Sequence, residues 1–415
     1  MSTEVKKKKK RGSHDNNKLI AILAITLGVI VVAVSVLSIV VVTSGNYVAK
    51  LNGQKLYNYE YTYYLNQQIA ALQDEIEVDE DADSDARLEA YKTFFSTKDD
   101  NGQYPLERCK DKALEELRLF KTSYQLACDA GYELTSDEKK NVENNVDYYI
   151  NYYYQFYAQY SSTSVTYDDV VEQVCGNMTV SQYKEYAKQD TAIAKYKDAM
   201  KEAYNITEDE LRAVYDENVN DYRKVTIQKF FLSTQTTDED GNAVDMTDEQ
   251  KAEVKAKIED YLAKFQSGEY SFEEKIKAES EESDSANTIG VTTVSSTDST
   301  GVTVLDDWAK AQTAVSEEGV YELVEDSKGY YIVRCTEIED FDNSEDSTEG
   351  ANDSIKNTIK TKIETEKADA QMREEAEAAT GYELSNIKES KIDELFDQND
   401  SVVAIISNYG AKVSD

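Results

Sequence analysis

The sequence predicts an α+β protein: an N-terminal transmembrane helix, a mostly helical lobe completed by a C-terminal helix, and an α+β domain inserted between them. Three observations carry this. Leu19 to Val42 (LIAILAITLGVIVVAVSVLSIVVV) contains no charge, no amide and no proline. The chain has 415 residues and one proline, so little interrupts helices beyond that run. Near Arg223 the apolar spacing changes from a helical period to consecutive β-branched and aromatic residues.

The apolar run comes first. As a helix it would reach ~36 Å, enough to cross the ~30 Å hydrocarbon core with some tilt. A helix also pairs its own backbone, which lipid demands. Lys6 to Lys10, Arg11 and Lys18 precede the run, so residues 1–18 are expected to be a basic cytoplasmic tail and 19–42 a single-pass anchor. The rest would then be extracytoplasmic. The alternative is a cleaved secretory signal, whose apolar core is shorter and ends in small residues; Thr43-Ser44-Gly45 is a weak match to that pattern.

Composition narrows the chemistry. The net charge is −37 with 82 acidic and 45 basic residues; seven of the bases and two of the acids precede the anchor, so the remainder carries 38 bases against 80 acids. Such a body repels nucleic acid and anionic membrane faces. The single histidine is His14, on the cytoplasmic side, so the external body has no Ser-His, Cys-His or His-metal chemistry. Cys109, Cys128, Cys175 and Cys335 show no metal or redox spacing and read as small buried apolar residues. No cofactor and no metal is implied.

A helical lobe is expected over 46–222. Tyr47, Val48 and Leu51 lead into Asn52-Gly53, a type I′ hairpin signal, and Asn58 reads as the cap of the next helix. Residues 74–85 form an acidic loop whose spacing fails the calcium pattern. Leu106, Cys109, Ala113, Leu117, Phe120, Tyr124 and Cys128 make one apolar stripe on a helix over 104–130. Thr135-x-x-Glu138 opens the next helix. That helix carries Val142, Val146, Tyr149, Tyr153, Tyr157 and Tyr160 at similar spacing, within a stretch of seven tyrosines and Phe156. Two readings stand for this stretch: core packing with hydroxyls at the edge, or an adhesive face for unfolded chains built of Tyr149, Tyr153 and Tyr157.

The inserted domain is expected over 223–340. Val225 to Leu232 reads as a strand. Thr247-x-x-Gln250 caps a helix carrying Val254, Ile258, Tyr261, Leu262 and Phe265. A short helix from Phe272, a strand at Val291 to Val294, a short helix at Leu305 to Ala311, and a hairpin of Val320 to Val324 with Tyr330 to Thr336 follow. Residues 341–354 read as an acidic linker. Residues 355–415 form a C-terminal helical segment expected to pack on the helical lobe.

This order of elements resembles the parvulin-type (PpiC-type) peptidyl-prolyl isomerase domain. Val225 to Leu232 resembles its opening strand, and Gly268-x-x-Ser271-Phe272 its helix junction. Ser283-Asp284-Ser285-Ala286 resembles its Ser-Asp loop. Glu318-Gly319 and Gly329-Tyr330-Tyr331-Ile332-Val333 resemble its closing hairpin. The flanks Val48-Ala49-Lys50-Leu51-Asn52-Gly53, Ala130-Gly131-Tyr132-Glu133-Leu134-Thr135 and Ile206-Thr207-Glu208-Asp209-Glu210-Leu211 are similar to the chaperone domain of SurA/PrsA-type foldases.

The resemblance implies a membrane-anchored extracytoplasmic chaperone or foldase. Its partners would be unfolded or newly secreted polypeptides. The family-matched positions are Lys229, Ser283, Asp284 and Tyr331. Lys229 and Tyr331 stand where the family has histidines, and Thr288-Ile289-Gly290 reduces its Gly-Gly-x-Leu-Gly turn. Isomerase activity is therefore expected to be weak or lost. Phe231, Trp308 and Tyr331 are expected either to line an apolar client pocket or to be sheet and core residues. The alternatives are an active isomerase with a non-histidine pocket and a non-catalytic cell-envelope adaptor. Isomerisation makes and breaks no covalent bond, so a pocket favouring the twisted amide suffices.

Overall fold

The computed structural model of the chain describes residues 46–79, 82–160, 165–238, 242–282, 285–342 and 354–413. The basic tail, the apolar run Leu19 to Val42, Ser283, Asp284 and residues 343–353 of the acidic linker lie outside the described residues. No helix of the described residues is long and apolar enough to cross a membrane. Contacts divide the chain into two compact units: one up to Ala203 and again from Lys367, the other Tyr204–Glu366.

The first unit opens with a hairpin of β1 (Tyr47–Leu51) and β2 (Gln54–Tyr57). Asn52 and Gly53 both have positive φ, 47° and 78°, as a type I′ turn requires. Helix α1 (Asn58–Ala71) follows. Asn58 is its first helical residue rather than its cap. Tyr57 takes the cap position, and its N–H donates to the Glu60 carboxylate at 2.9 Å. The Asn58 amide turns instead to Asn46.

Helix α2 (Ser84–Ser96) is capped by Asp83, and α3 (Pro105–Asp129) carries the only proline at its first turn, where no N–H is needed. The predicted stripe on α3 is buried from Leu106 to Leu117. Beyond it the buried side turns to Leu119, Thr122, Ser123 and Ala127, which leaves Cys128 half-exposed rather than buried like Cys109, Cys175 and Cys335. Helix α4 (Ser136–Tyr160) starts at the Thr135/Glu138 box, with bonds of 2.7 and 3.3 Å. It packs on α5 (Tyr167–Cys175) and α6 (Val180–Ala203).

The second unit begins with α7 (Glu208–Glu217), capped by Thr207, and the short α8 (Val219–Tyr222). Then come β3 (Lys224–Ser233), a small hairpin of β4 (Gln235–Thr237) and β5 (Ala243–Asp245), and α9 (Asp248–Gln266). Next are α10 (Phe272–Glu279), α11 (Ser285–Thr288), β6 (Val291–Val294) and α12 (Thr303–Ala311). Strands β7 (Glu322–Asp326) and β8 (Gly329–Glu339) complete an antiparallel sheet of order β6-β3-β8-β7.

Alternation along β3 and β8 gives the sheet two faces. Phe230, Leu232 and Ile332 meet Ile258 and Phe265 of α9 and Phe272 and Ile276 of α10. Tyr331 and Val333 face Leu305 of α12.

The chain then runs through α13 (Ile355–Ala378), which spans the division between the units. Strand β9 (Leu384–Ser385) pairs with β1. Helices α14 (Glu389–Asp397) and α15 (Asp400–Tyr409) place Ile392, Phe396, Val402 and Ile405 in one core with Val48, Leu51, Leu65 and Leu106.

The division falls at 203/204 and 366/367 rather than at 222/223, where the apolar periodicity changes, and 340/341, where the acidic stretch begins. Leu211 and Tyr215 of α7 bury their apolar face against Phe341, Ile355, Ile359 and Ile363. The first two turns of α13 therefore pack within the inserted unit, and Phe341 is a core residue rather than linker.

Candidate functional site

The second unit brings together most of the positions singled out in its sequence. In the β3–β8 register Phe231 opposes Tyr331 and Lys229 opposes Val333, so these side chains share a face. The Phe231 and Tyr331 rings stack at 4.5 Å. Trp308 on α12 joins the same cluster with Leu305, and its indole N–H donates to Glu322 at 3.0 Å. Phe231 and Trp308 keep partial exposure, whereas Tyr331 is buried. Burial, reinforced by Glu282 and Asp326, pushes the Tyr331 phenol up to about 12, so it is a neutral hydroxyl at physiological pH.

Lys229 is 4 % exposed, and its ammonium is ion-paired with Glu282. The segment carrying Glu282 is pinned across β3. Ser280 Oγ accepts from the Phe231 N–H at 3.2 Å, the Glu281 N–H donates to the Phe231 carbonyl, and the Glu281 carboxylate accepts from the Ser233 N–H.

The reduced turn Thr288-Ile289-Gly290 lies over the same strand. The Lys229 N–H donates to the Gly290 carbonyl at 3.0 Å. Gly290 has φ +68°, and a Cβ there would run into the Lys229 carbonyl. This glycine is thus required by a close approach of two backbones. The cluster holds one buried phenol, one neutralised ammonium and apolar rings. Among the described residues it offers a hydrogen-bond donor and an apolar wall to a peptide.

The first unit presents a second feature, on α4. Val146 and Ile150 are buried against Val170 and Cys175, with Tyr154 and Tyr157 packed on that cluster. The buried stripe is therefore 146–150–154–157 rather than one through Tyr149 and Tyr153. Tyr148, Tyr149, Tyr152, Tyr153 and Phe156 are each at least 40 % exposed. They form two rows: Tyr148–Tyr152–Phe156 with centroids 6.2 and 6.4 Å apart, and Tyr153 stacked on Tyr157 at 6.3 Å. The rows meet edge-on at Tyr148–Tyr149 and Tyr152–Tyr153.

Of the three tyrosines singled out, Tyr149 and Tyr153 are on this surface. Tyr157 is at its margin, its hydroxyl accepting from Gln173 at 2.9 Å. Tyr148, Tyr152 and Phe156 were not singled out; their i, i+4 spacing was the available signal. No charged residue occurs from Tyr148 to Tyr167.

Residues 206–345 match the family described as the PPIC-type PPIASE domain. This stretch is similar to a PPIC-type domain. Its bounds sit inside the second unit and include α7, which the change of periodicity at 223 left out. Among solved structures the chain is similar to the foldase protein PrsA from Streptococcus pneumoniae (18% identity, covering 76% of this chain and 99% of that one, TM-score 0.31). It is also similar to PrsA from Bacillus subtilis (16% identity, 73% and 91% covered, TM-score 0.22). A structure from work on two SurA-like chaperones of Campylobacter jejuni gives 15% identity, 80% and 95% coverage and a TM-score of 0.22. No curated protein sequence gives a significant match. The resemblance to a parvulin-type domain read from the order of motifs within 223–340 is matched by this family model.

Proposed function

We propose that the chain is a membrane-tethered extracytoplasmic chaperone or foldase for newly secreted polypeptides, with little or no prolyl isomerase activity of its own. The observation that carries this is the uncharged aromatic surface of α4. In a chain that is 31% charged, an exposed patch of five rings without a single charge has the character of a contact surface. Tyrosine supplies a large amphipathic ring at low entropic cost, which suits it to many unrelated sequences. Covering such a patch gains on the order of 10 kcal/mol at ~25 cal/mol/Å², against association costs of similar size. Binding is accordingly weak and reversible, as a client that must be released requires.

The apolar run Leu19 to Val42 supports the tether through its length and basic flank. Tethering raises the local concentration of such weak sites where clients emerge. The paired Lys229 and buried Tyr331 support the loss of isomerase activity: where the family has a hydrogen-bonding histidine pair, this chain has an ion pair and a stacked ring.

The full chain in nanodiscs should suppress aggregation of an unfolded client at near-stoichiometric amounts. Tyr148→Ser/Tyr152→Ser/Phe156→Ser should lose most of that effect while keeping the melting temperature. Equal suppression by both proteins would overturn the reading. A second reading, an active isomerase, is favoured by the partial exposure of Phe231 and Trp308 beside a phenol that stays protonated. Acceleration of a proline-limited refolding reaction at catalytic amounts, lost in Tyr331→Ala, would select it.

A further inference from the structure

We propose that the first unit contains a second peptide site, a groove that takes an extended segment with an apolar side chain flanked by lysine or arginine. The groove lies between the 3₁₀ turn Leu72–Glu75 with its extended continuation and helix α2, and ends at the start of α3. Its volume is about 690 Å³, within the range of sites that enclose small ligands or a few side chains. The apolar wall is Ile76, Ala86, Ala90 and Phe94. Phe94 is anchored edge-on against buried Phe95, so the wall belongs to the packed core rather than to a loose loop.

The charges around this wall favour a cation. Glu75, Glu77, Glu89 and Asp99 line the groove together with Lys98 and Arg108. Arg108 is ion-paired with Glu75 and Asp99, and the Lys98 ammonium lies 4.9 Å from the Tyr104 ring centroid. Glu77 and Glu89 are exposed and form no ion pair among the described residues. Two carboxylates therefore remain beside an apolar wall on a chain of net charge −37, and this field draws in a basic segment and repels an acidic one.

The apolar wall and the two carboxylates together describe a basic-apolar segment. The site shares no residue with the aromatic rows of α4, and its test does not depend on them.

The test is fluorescence anisotropy with the full chain in detergent micelles. The probes are labelled peptides sharing a Leu-Phe-Leu centre and flanked by Arg and Lys, by Gln, or by Glu. The basic peptide should bind about tenfold more tightly than the acidic one, with the gap closing at high salt. Ala86→Arg, at an exposed position, should weaken the basic peptide about tenfold, and Glu77→Lys/Glu89→Lys should reverse the preference. Tyr148→Ser/Tyr152→Ser/Phe156→Ser should leave binding unchanged. Thermal melts confirm that each variant is folded. Equal affinity across the three flanks, binding indifferent to Ala86→Arg, or loss of binding only in the aromatic variant would each overturn the proposal. So would self-association abolished by Ala86→Arg, since the groove would then belong to a second copy.

Discussion

Removing Glu282 should destabilise the PPIC-type domain more than removing the lysine it partners. Lys229 Nζ is bonded to Glu282, and the two side chains are 5% and 23% exposed. The carboxylate end keeps some access to water; the ammonium end keeps almost none. Glu282→Gln leaves that ammonium without its countercharge. Breaking a buried pair in this way costs ~3–5 kcal/mol, and the partial exposure of Glu282 places the effect at the lower end, about 3 kcal/mol.

A unit of this size shifts its melting temperature by roughly 2–4 °C per kcal/mol, so a fall of about 6–12 °C is expected. Lys229→Met removes the charge and keeps an unbranched chain of similar length. It should change stability by less than about 1 kcal/mol in either direction. The double variant should recover most of what Glu282→Gln loses. Trp308 is the only tryptophan in the chain and lies in the same unit, so its fluorescence reports this transition directly. Equal shifts for Glu282→Gln and Lys229→Met would refute the reasoning, because the ammonium would then not depend on its partner.

Three further outcomes can be checked. Ile359 is fully buried against α7; Ile359→Ala should cost ~2–5 kcal/mol and lower the Trp308 transition, as expected if the first turns of α13 belong to the inserted unit. Glu138 is held down to about 2 by its bond to Lys195 and its part in the Thr135 cap. Its folded-state pKa lies below its unfolded one, so its contribution is present above pH ~4.5 and lost as pH falls towards 2; the melting difference between the wild type and Glu138→Gln should shrink over that window. Lys229→His/Tyr331→His restores the residue types that the resemblance places at these positions; proline-limited refolding should be faster with this variant than with the wild type, and no gain would mean that more than the histidine pair has been lost.

The parts legible in the sequence were those fixed by near neighbours. Thr135, Thr207 and Thr247 each meet an acceptor or donor three residues on, and each caps its helix. Asn58 failed as a cap because Glu60 reaches the Tyr57 N–H and shifts the helix start by one residue. The tyrosine helix was ambiguous for a different reason. Rings occur at almost every angle around it, so a 3.6-residue period selects no face. The face was chosen by Val170 and Cys175 on α5, which bury Ile150 and leave Tyr148 and Tyr152 in water. The boundary at 204 was missed likewise: an amphipathic helix announces that it has a partner, not which partner.

The PPIC-type sheet shows how fold and chemistry come apart. Gly290 is needed because its positive φ and missing Cβ let its turn lie against β3. Phe230, Leu232 and Ile332 are apolar because they form the core beneath. Positions 229 and 331 are under neither demand; each needs only a side chain that can be buried with its polar end satisfied. Lysine meets this through Glu282, 53 residues away, while the Tyr331 ring is held by stacking on Phe231. These are the two positions at which the resemblance places histidines, so the likeness of fold carries over while the likeness of the polar pair does not. Under the proposed function the aromatic surface of α4 carries client contact and the sheet need not take part.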